Sequence, residues 1–249
     1  MEKYPNDPMV AFETQTAPEL SVEEKRPWLA TFEKDAPDNA LANYLSAIDC
    51  FNSGQPDRAL QEIANAAGKS FDDYSMSRVQ DNSEAYLSAG YSPAEADLIS
   101  TRSLMMMQLT SLKQMGVHLV DLANAYNQSG DQASAQAVLQ MAMNLGQSMR
   151  SAPSSAPVLI SQLVGMAIEN RALGAMDPNS VYGSSGQTVQ QMLDQNAQSK
   201  AMISSLNQQV EPLMPKLTDE DLIVFTSRRQ LFGEVPAMQW VVNKYGQQQ

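Results

Sequence analysis

The chain has 249 residues, 43% of them hydrophobic, which is ample material for a folded core. Its formal net charge is −12, with a pI of about 4.4. Binding to a nucleic-acid duplex draws mainly on Lys and Arg neutralising phosphates, so an acidic chain with only Arg228-Arg229 as a basic pair is a poor nucleic-acid ligand.

No apolar run approaches the ~18 residues of a membrane span, and no apolar stretch follows Met1-Glu2-Lys3-Tyr4-Pro5 as a signal peptide requires. Cys50 is the single cysteine and His118 the single histidine, too few for a zinc site of the usual ligand types. Cys50 falls on an apolar helix face, where a free cysteine acts as a small hydrophobe. His118 has no nearby residues that suggest a Ser-His-Asp arrangement. No cofactor and no enzymatic activity are expected.

Helical spacing dominates the chain. Ser21-Val22-Glu23-Glu24 is a capping box that opens a helix to about Phe32, with Pro27 compatible only with its first turn. Helices follow over about 40–53 and 57–68, the second started by Pro56. Another is expected over 71–87. Ser92-Pro93-Ala94-Glu95 opens a helical stretch reaching Gln128, either one long helix or two meeting near Gly116. Within it, Met105-Met106-Met107 lies beside Leu104 and Leu109, and the simplest reading is a helix buried between two layers.

A helix over about 132–149 precedes the turn or linker 151–157. The next spans 158–176, and 177–186 is a Gly/Ser/Asn-rich loop. A long polar helix over about 187–210 is stopped by Pro212 and Pro215. Thr218 caps a helix through Leu231, with acids at the positive end of its dipole. The final helix covers 234–245, with Gly246 as its C-cap.

Two segments share a register. In Gly116–Asn144, with Gly130 as the turn glycine, Leu119, Leu122, Ala123 and Tyr126 recur at helical spacing on the first helix. Ala135, Leu139 and Ala142 do so on the second. In Ala40–Ala67, with Gly54 in the same slot, Ala47 matches Ala123, Ala59 matches Ala135, Ile63 matches Leu139 and Ala66 matches Ala142. Small residues stand where two helix backbones must approach. This set resembles the tetratricopeptide repeat over about a quarter of the chain. Cys50 departs from the pattern, since the family prefers a large aromatic there and Phe51 comes one position later.

The expected fold is therefore all-α. TPR-like helical hairpins forming an α-α superhelix would occupy 1–150. A C-terminal helical layer or cap would occupy 151–249, as a second region or as part of one continuous domain. The resemblance implies a concave groove lined by the first helix of each unit: Leu41, Tyr44, Ile48, Phe51 and Asn52 in one, Val117, Val120, Asn124, Asn127 and Gln128 in the other. Of these, Tyr44, Ile48, Phe51, Val120, Asn124, Asn127 and Gln128 are the candidate binding residues. Family members that grip a C-terminal carboxylate use a Lys and an Asn one helical turn apart. Asn124 matches that Asn, but Val120 stands in the Lys position, so no carboxylate clamp is expected. The apolar Tyr44, Ile48 and Phe51 either receive a partner helix or are covered internally, the expected filler being the helix 158–176.

The leading expectation is a non-enzymatic interaction or scaffold protein with a protein or peptide partner. The alternative is a module binding an apolar or peptide-like ligand in a cavity between the repeats and the C-terminal helices. A third class, carboxylate enzymes, would need Glu169 with Asp177 or Glu211 with Asp219 as a buried pair of raised pKa. The 32-residue offset of Pro37 from Pro5 (37 − 5) is near one repeat length. It suggests that the chain starts at a repeat junction, with an anchor or more repeats upstream. A native start at Met1 would make the protein cytoplasmic; a lost upstream segment would make it extracytoplasmic and membrane-tethered.

Overall fold

The computed structural model describes residues 7–102, 106–151, 158–183 and 186–246. Among them the chain is all-α. Its helices are α1 (Pro8–Thr16), α2 (Val22–Asp35), α3 (Ala40–Asn52), α4 (Pro56–Asn65), α5 (Ser75–Ser88) and α6 (Pro93–Arg102). They continue with α7 (Met107–Gln128), α8 (Gln132–Arg150), α9 (Leu159–Leu173), α10 (Val189–Val210), α11 (Asp219–Phe232) and α12 (Glu234–Tyr245). No described helix is long and apolar enough to cross a membrane.

Local chemistry sets most helix starts. Ser21 and Glu24 form the expected capping box of α2, and Ser92 and Glu95 exchange the same reciprocal bonds at α6. Thr188 and Gln191 repeat the device at α10, and Asp131 caps α8 through the Ser134 amide. Pro27 departs from expectation. It lies beyond the first turn of α2, which continues through it to Asp35.

Three boundaries differ from the sequence reading. α1 was not foreseen; Asp7 caps it by accepting from the Met9 amide, as Asn39 caps α3 by accepting from Leu41. α5 begins at Ser75 rather than Phe71, because Tyr74 has a left-handed backbone (φ 55°) that cannot sit inside a right-handed helix. The long stretch is two helices, but they do not meet at Gly116. Gly116 is interior to α7, which starts after the non-helical Met106. Of the methionine run, Met105 lies outside the described residues, as does the side chain of Met107. Met106 packs against the core.

Adjacent helices pack as hairpins: α1 on α2, α3 on α4, α5 on α6, α7 on α8 and α11 on α12. In the α3–α4 and α7–α8 hairpins the small contact residues Ala47, Ala59, Ala123 and Ala135 are all buried. The turn glycines Gly54 (φ 70°) and Gly130 (φ 85°) take the positive φ that only glycine adopts at little cost. Cys50 is buried and free. One apolar core joins α1–α4 to α7–α9 and reaches Val189 at the start of α10, and a second gathers Leu206, Val210, Leu213, Met238 and Val241.

α9 crosses α8 at very short range. A Cβ on Gly165 would stand 2.5 Å from the Gly146 carbonyl oxygen, and one on Gly146 would stand 2.7 Å from the Gly165 carbonyl oxygen. A buried cluster secures this crossing: Arg150 of α8 pairs with Glu169 of α9, and Asn196 of α10 donates to Asn170 at 2.8 Å. α9 meets α7 where Gly116 faces Ile168. Farther on, Arg229 of α11 bonds Asp97 and Thr101 of α6, and Lys244 and Tyr245 of α12 both bond Asp221 of α11.

Candidate functional site

Three clefts run together along the α3–α7 side of the molecule. The largest, 480 Å³, lies between the end of α1, α2, α3 and the start of α7. It shares Ile48, Asn52 and Ser111 with a 270 Å³ cleft between α3 and α7. It also shares Thr16 and Gln108 with a 260 Å³ cleft at the α1–α2 turn. The three form one trough with two chemically distinct ends.

At the α7 end the wall is Ile48, Phe51, Met115 and His118. The imidazole of His118 stacks on the Phe51 ring, with centroids 5.8 Å apart and 25° between planes. Ile48 and Phe51 are half-buried. In the middle, Arg26 of α2 crosses to α3, donating to Asp49 at 2.9 Å and to Ser53 at 2.7 Å. This bridge links α2 to α3 across the trough. The exposed Arg26 pair adds little stability by itself.

At the α1 end, Gln15 and Gln108 line the trough. Gln108 is only 4% exposed, and its Nε2 has no hydrogen-bond partner. The Oε1 of Gln15 is likewise buried and unpartnered. A buried polar atom without a partner costs about 1–3 kcal/mol, so two in one cleft call for an explanation.

The expected groove residues divide. Ile48 and Phe51 line the trough. Tyr44 does not: it is buried, shares a 3.0 Å hydrogen bond with Ser148 of α8 and lies beside Phe71, with ring centroids 6.4 Å apart. The cover over Tyr44 is therefore α8 and Phe71 rather than the helix 158–176, which as α9 packs on α7, α8 and α10. Val120 is buried in the core. Asn124, Asn127 and Gln128 are exposed on the last turns of α7 and do not line the trough. These three clefts take no residue beyond His118, so a cavity between hairpins and C-terminal helices is not among them.

Sequence reasoning missed Gln15, Gln108 and Arg26. Nothing in a helical Gln distinguishes a buried orphan from a solvated one until the tertiary neighbours are known.

The carboxylates considered for catalysis do not pair. Asp177, Glu211 and Asp219 are exposed. Glu169 is buried, and burial pushes its carboxyl above the ordinary range against the opposing pull of Arg150, but its partners are Arg150 and Asn196. Among the described residues, no group of three His, Cys, Asp or Glu side chains is placed to hold a metal ion.

Compared with known proteins, the chain matches no family model, no curated protein and no solved structure.

Proposed function

We propose that this chain is a non-enzymatic protein-interaction module of tetratricopeptide-like construction. Its α3–α4 and α7–α8 hairpins form a scaffold that presents the α2–α3–α7 trough to a protein or peptide partner. One observation carries the reading: adjoining clefts leave Ile48, Phe51 and His118 accessible at one end and have the buried, unpartnered Gln15 Oε1 and Gln108 Nε2 in the wall of the other. A groove kept only for packing would be filled by the chain's own side chains. The register of Ala47, Ala59, Ala123 and Ala135 about Gly54 and Gly130 supports the repeat-like construction.

Site-specific photo-crosslinking tests it. A crosslinking amino acid is placed at Asn52, which borders two of the clefts, or at Asn127, which borders none, in cells that make the protein. A partner protein crosslinked from Asn52 and not from Asn127, and lost on Phe51→Ala, supports the proposal. Identical products from both positions, or none from Asn52, overturn it.

A further inference from the structure

The buried amides at the α1 end define a chemistry. Gln108 Nε2 is an unused donor and Gln15 Oε1 an unused acceptor, and both are buried in the wall of one cleft. They do not bond each other, since neither atom has any partner. A ligand that satisfies both must offer an acceptor and a donor. One residue of a peptide in extended conformation does so with its own C=O and N–H, which point to the same side of the strand.

A helical partner is a poor match, because its main-chain groups are already bonded within the helix. A chain in extended conformation leaves those groups free. From the amide end the trough continues past Asn52 to the apolar pocket of Ile48, Phe51, Met115 and His118. That pocket suits one apolar side chain of the same ligand.

Resting on the interaction reading above, we propose that the trough binds an extended peptide segment. Turned out of the cleft wall, the donor of Gln108 and the acceptor of Gln15 clasp the C=O and N–H of one internal residue of that segment, and an apolar side chain enters the Phe51–His118 pocket. Recognition is of an internal main-chain unit, not of a chain terminus. Gln15 and Gln108 are binding residues.

The test uses the full ¹⁵N-labelled chain, read through the side-chain amide signals of Gln15 and Gln108 and the ring signals of His118. The probe is a mixture of N-acetylated, C-amidated pentapeptides with Leu fixed at the centre and the other positions varied. A second mixture is identical but N-methylated at every peptide nitrogen, which deletes the N–H that Gln15 would accept. A third probe is a stapled helical peptide carrying the same Leu.

The first mixture is expected to shift all three sets of signals, and the methylated one to bind roughly tenfold more weakly, the worth of about one buried hydrogen bond. Gln15→Met should erase that difference. Gln108→Met should weaken both mixtures, while leaving the thermal midpoint equal or higher, because it removes an orphaned donor. That midpoint separates lost binding from lost folding. Equal binding of both mixtures, or a response to the stapled helix alone, would overturn the extended-peptide inference and leave the groove reading standing. No shift of any trough signal with any probe would overturn both.

Discussion

The side-chain amide of Asn39 grips the main chain of Asp72 on both of its polar groups. Asn39 Nδ2 donates to the Asp72 carbonyl at 2.8 Å, and Asn39 Oδ1 accepts from the Asp72 amide at 3.1 Å while also capping Leu41. Beside it, the Ala40 amide donates to the Ser70 carbonyl and the Ser70 amide to the Asp38 carbonyl. The entrance of α3 is thereby stapled to the exit of α4. Asn39→Asp keeps the acceptors, loses the donor and faces a carboxylate toward a carbonyl. The expected cost is about 1–3 kcal/mol of unfolding free energy by denaturant titration. A change under about 0.3 kcal/mol would contradict the staple.

The glycines where α9 meets α8 and α7 should not behave alike under alanine substitution. Gly165→Ala puts its new methyl against a backbone carbonyl that cannot move alone, and about 3 kcal/mol of destabilisation is expected. Gly116→Ala meets only the Ile168 side chain, and the gain of about 1 kcal/mol from replacing a helical glycine offsets much of that crowding. The thermal midpoint should fall steeply for the first and stay near wild type for the second. The reverse order would contradict the crossing.

Arg229 and Asp97 give a test of the contact between α11 and α6. Both side chains are largely buried, and Thr226 and Thr101 complete the cluster. Asp97→Ala leaves a buried guanidinium without its carboxylate and should cost about 3 kcal/mol. Asp97→Leu combined with Arg229→Met removes both charges and should recover most of the loss. A double variant as unstable as the single would show that the pair stabilises the fold beyond relieving its own desolvation.

The pH dependence of stability carries the sign of Glu169. Burial raises its folded-state pKa above the ordinary value of 4.5. The folded state therefore holds the proton longer than the unfolded chain, and unfolding free energy falls as pH rises from about the ordinary carboxyl value through the raised one. Glu169→Gln cannot titrate. Its thermal midpoint relative to wild type should rise across that window and level off above it. A relative midpoint that falls with pH would mean that Arg150 lowers the carboxyl more than burial raises it.

The parts legible in the sequence were those written locally. Ser21 with Glu24 and Ser92 with Glu95 name their helix starts within four residues, and Gly54 and Gly130 mark their turns by a backbone angle other residues avoid. Asp7-Pro8 carried a similar signal, an N-cap followed by proline as in Ser92-Pro93, and it does start a helix. Tyr74 hid the start of α5, because a left-handed tyrosine has no sequence signature.

Tertiary choices were not legible. Gly116 reads as a weak point of a helix, yet it is the flat spot against which Ile168 rests. The groove residues that the repeat resemblance implies fall in different surroundings. Ile48 and Phe51 line the trough, while Tyr44 is bonded to Ser148 and the exposed amides at Asn124, Asn127 and Gln128 line none of the three described clefts. Gln15 and Gln108 belong to distant stretches of chain, and only the tertiary fold brings the end of α1 and the start of α7 to one cleft.

The Gly146–Gly165 crossing also has a consequence for how the molecule comes apart. One side of α8 belongs to the hairpin with α7; its Gly146, Met149 and Arg150 belong to α9. Peeling away everything after Ser151 would strip the cover from Met149 and the partner from Arg150, so α8 could not keep its own packing. The slowest-exchanging amides of α7, α8 and α9 should therefore open together, in a single global event, while α1 and α2, remote from that seam, breathe on their own.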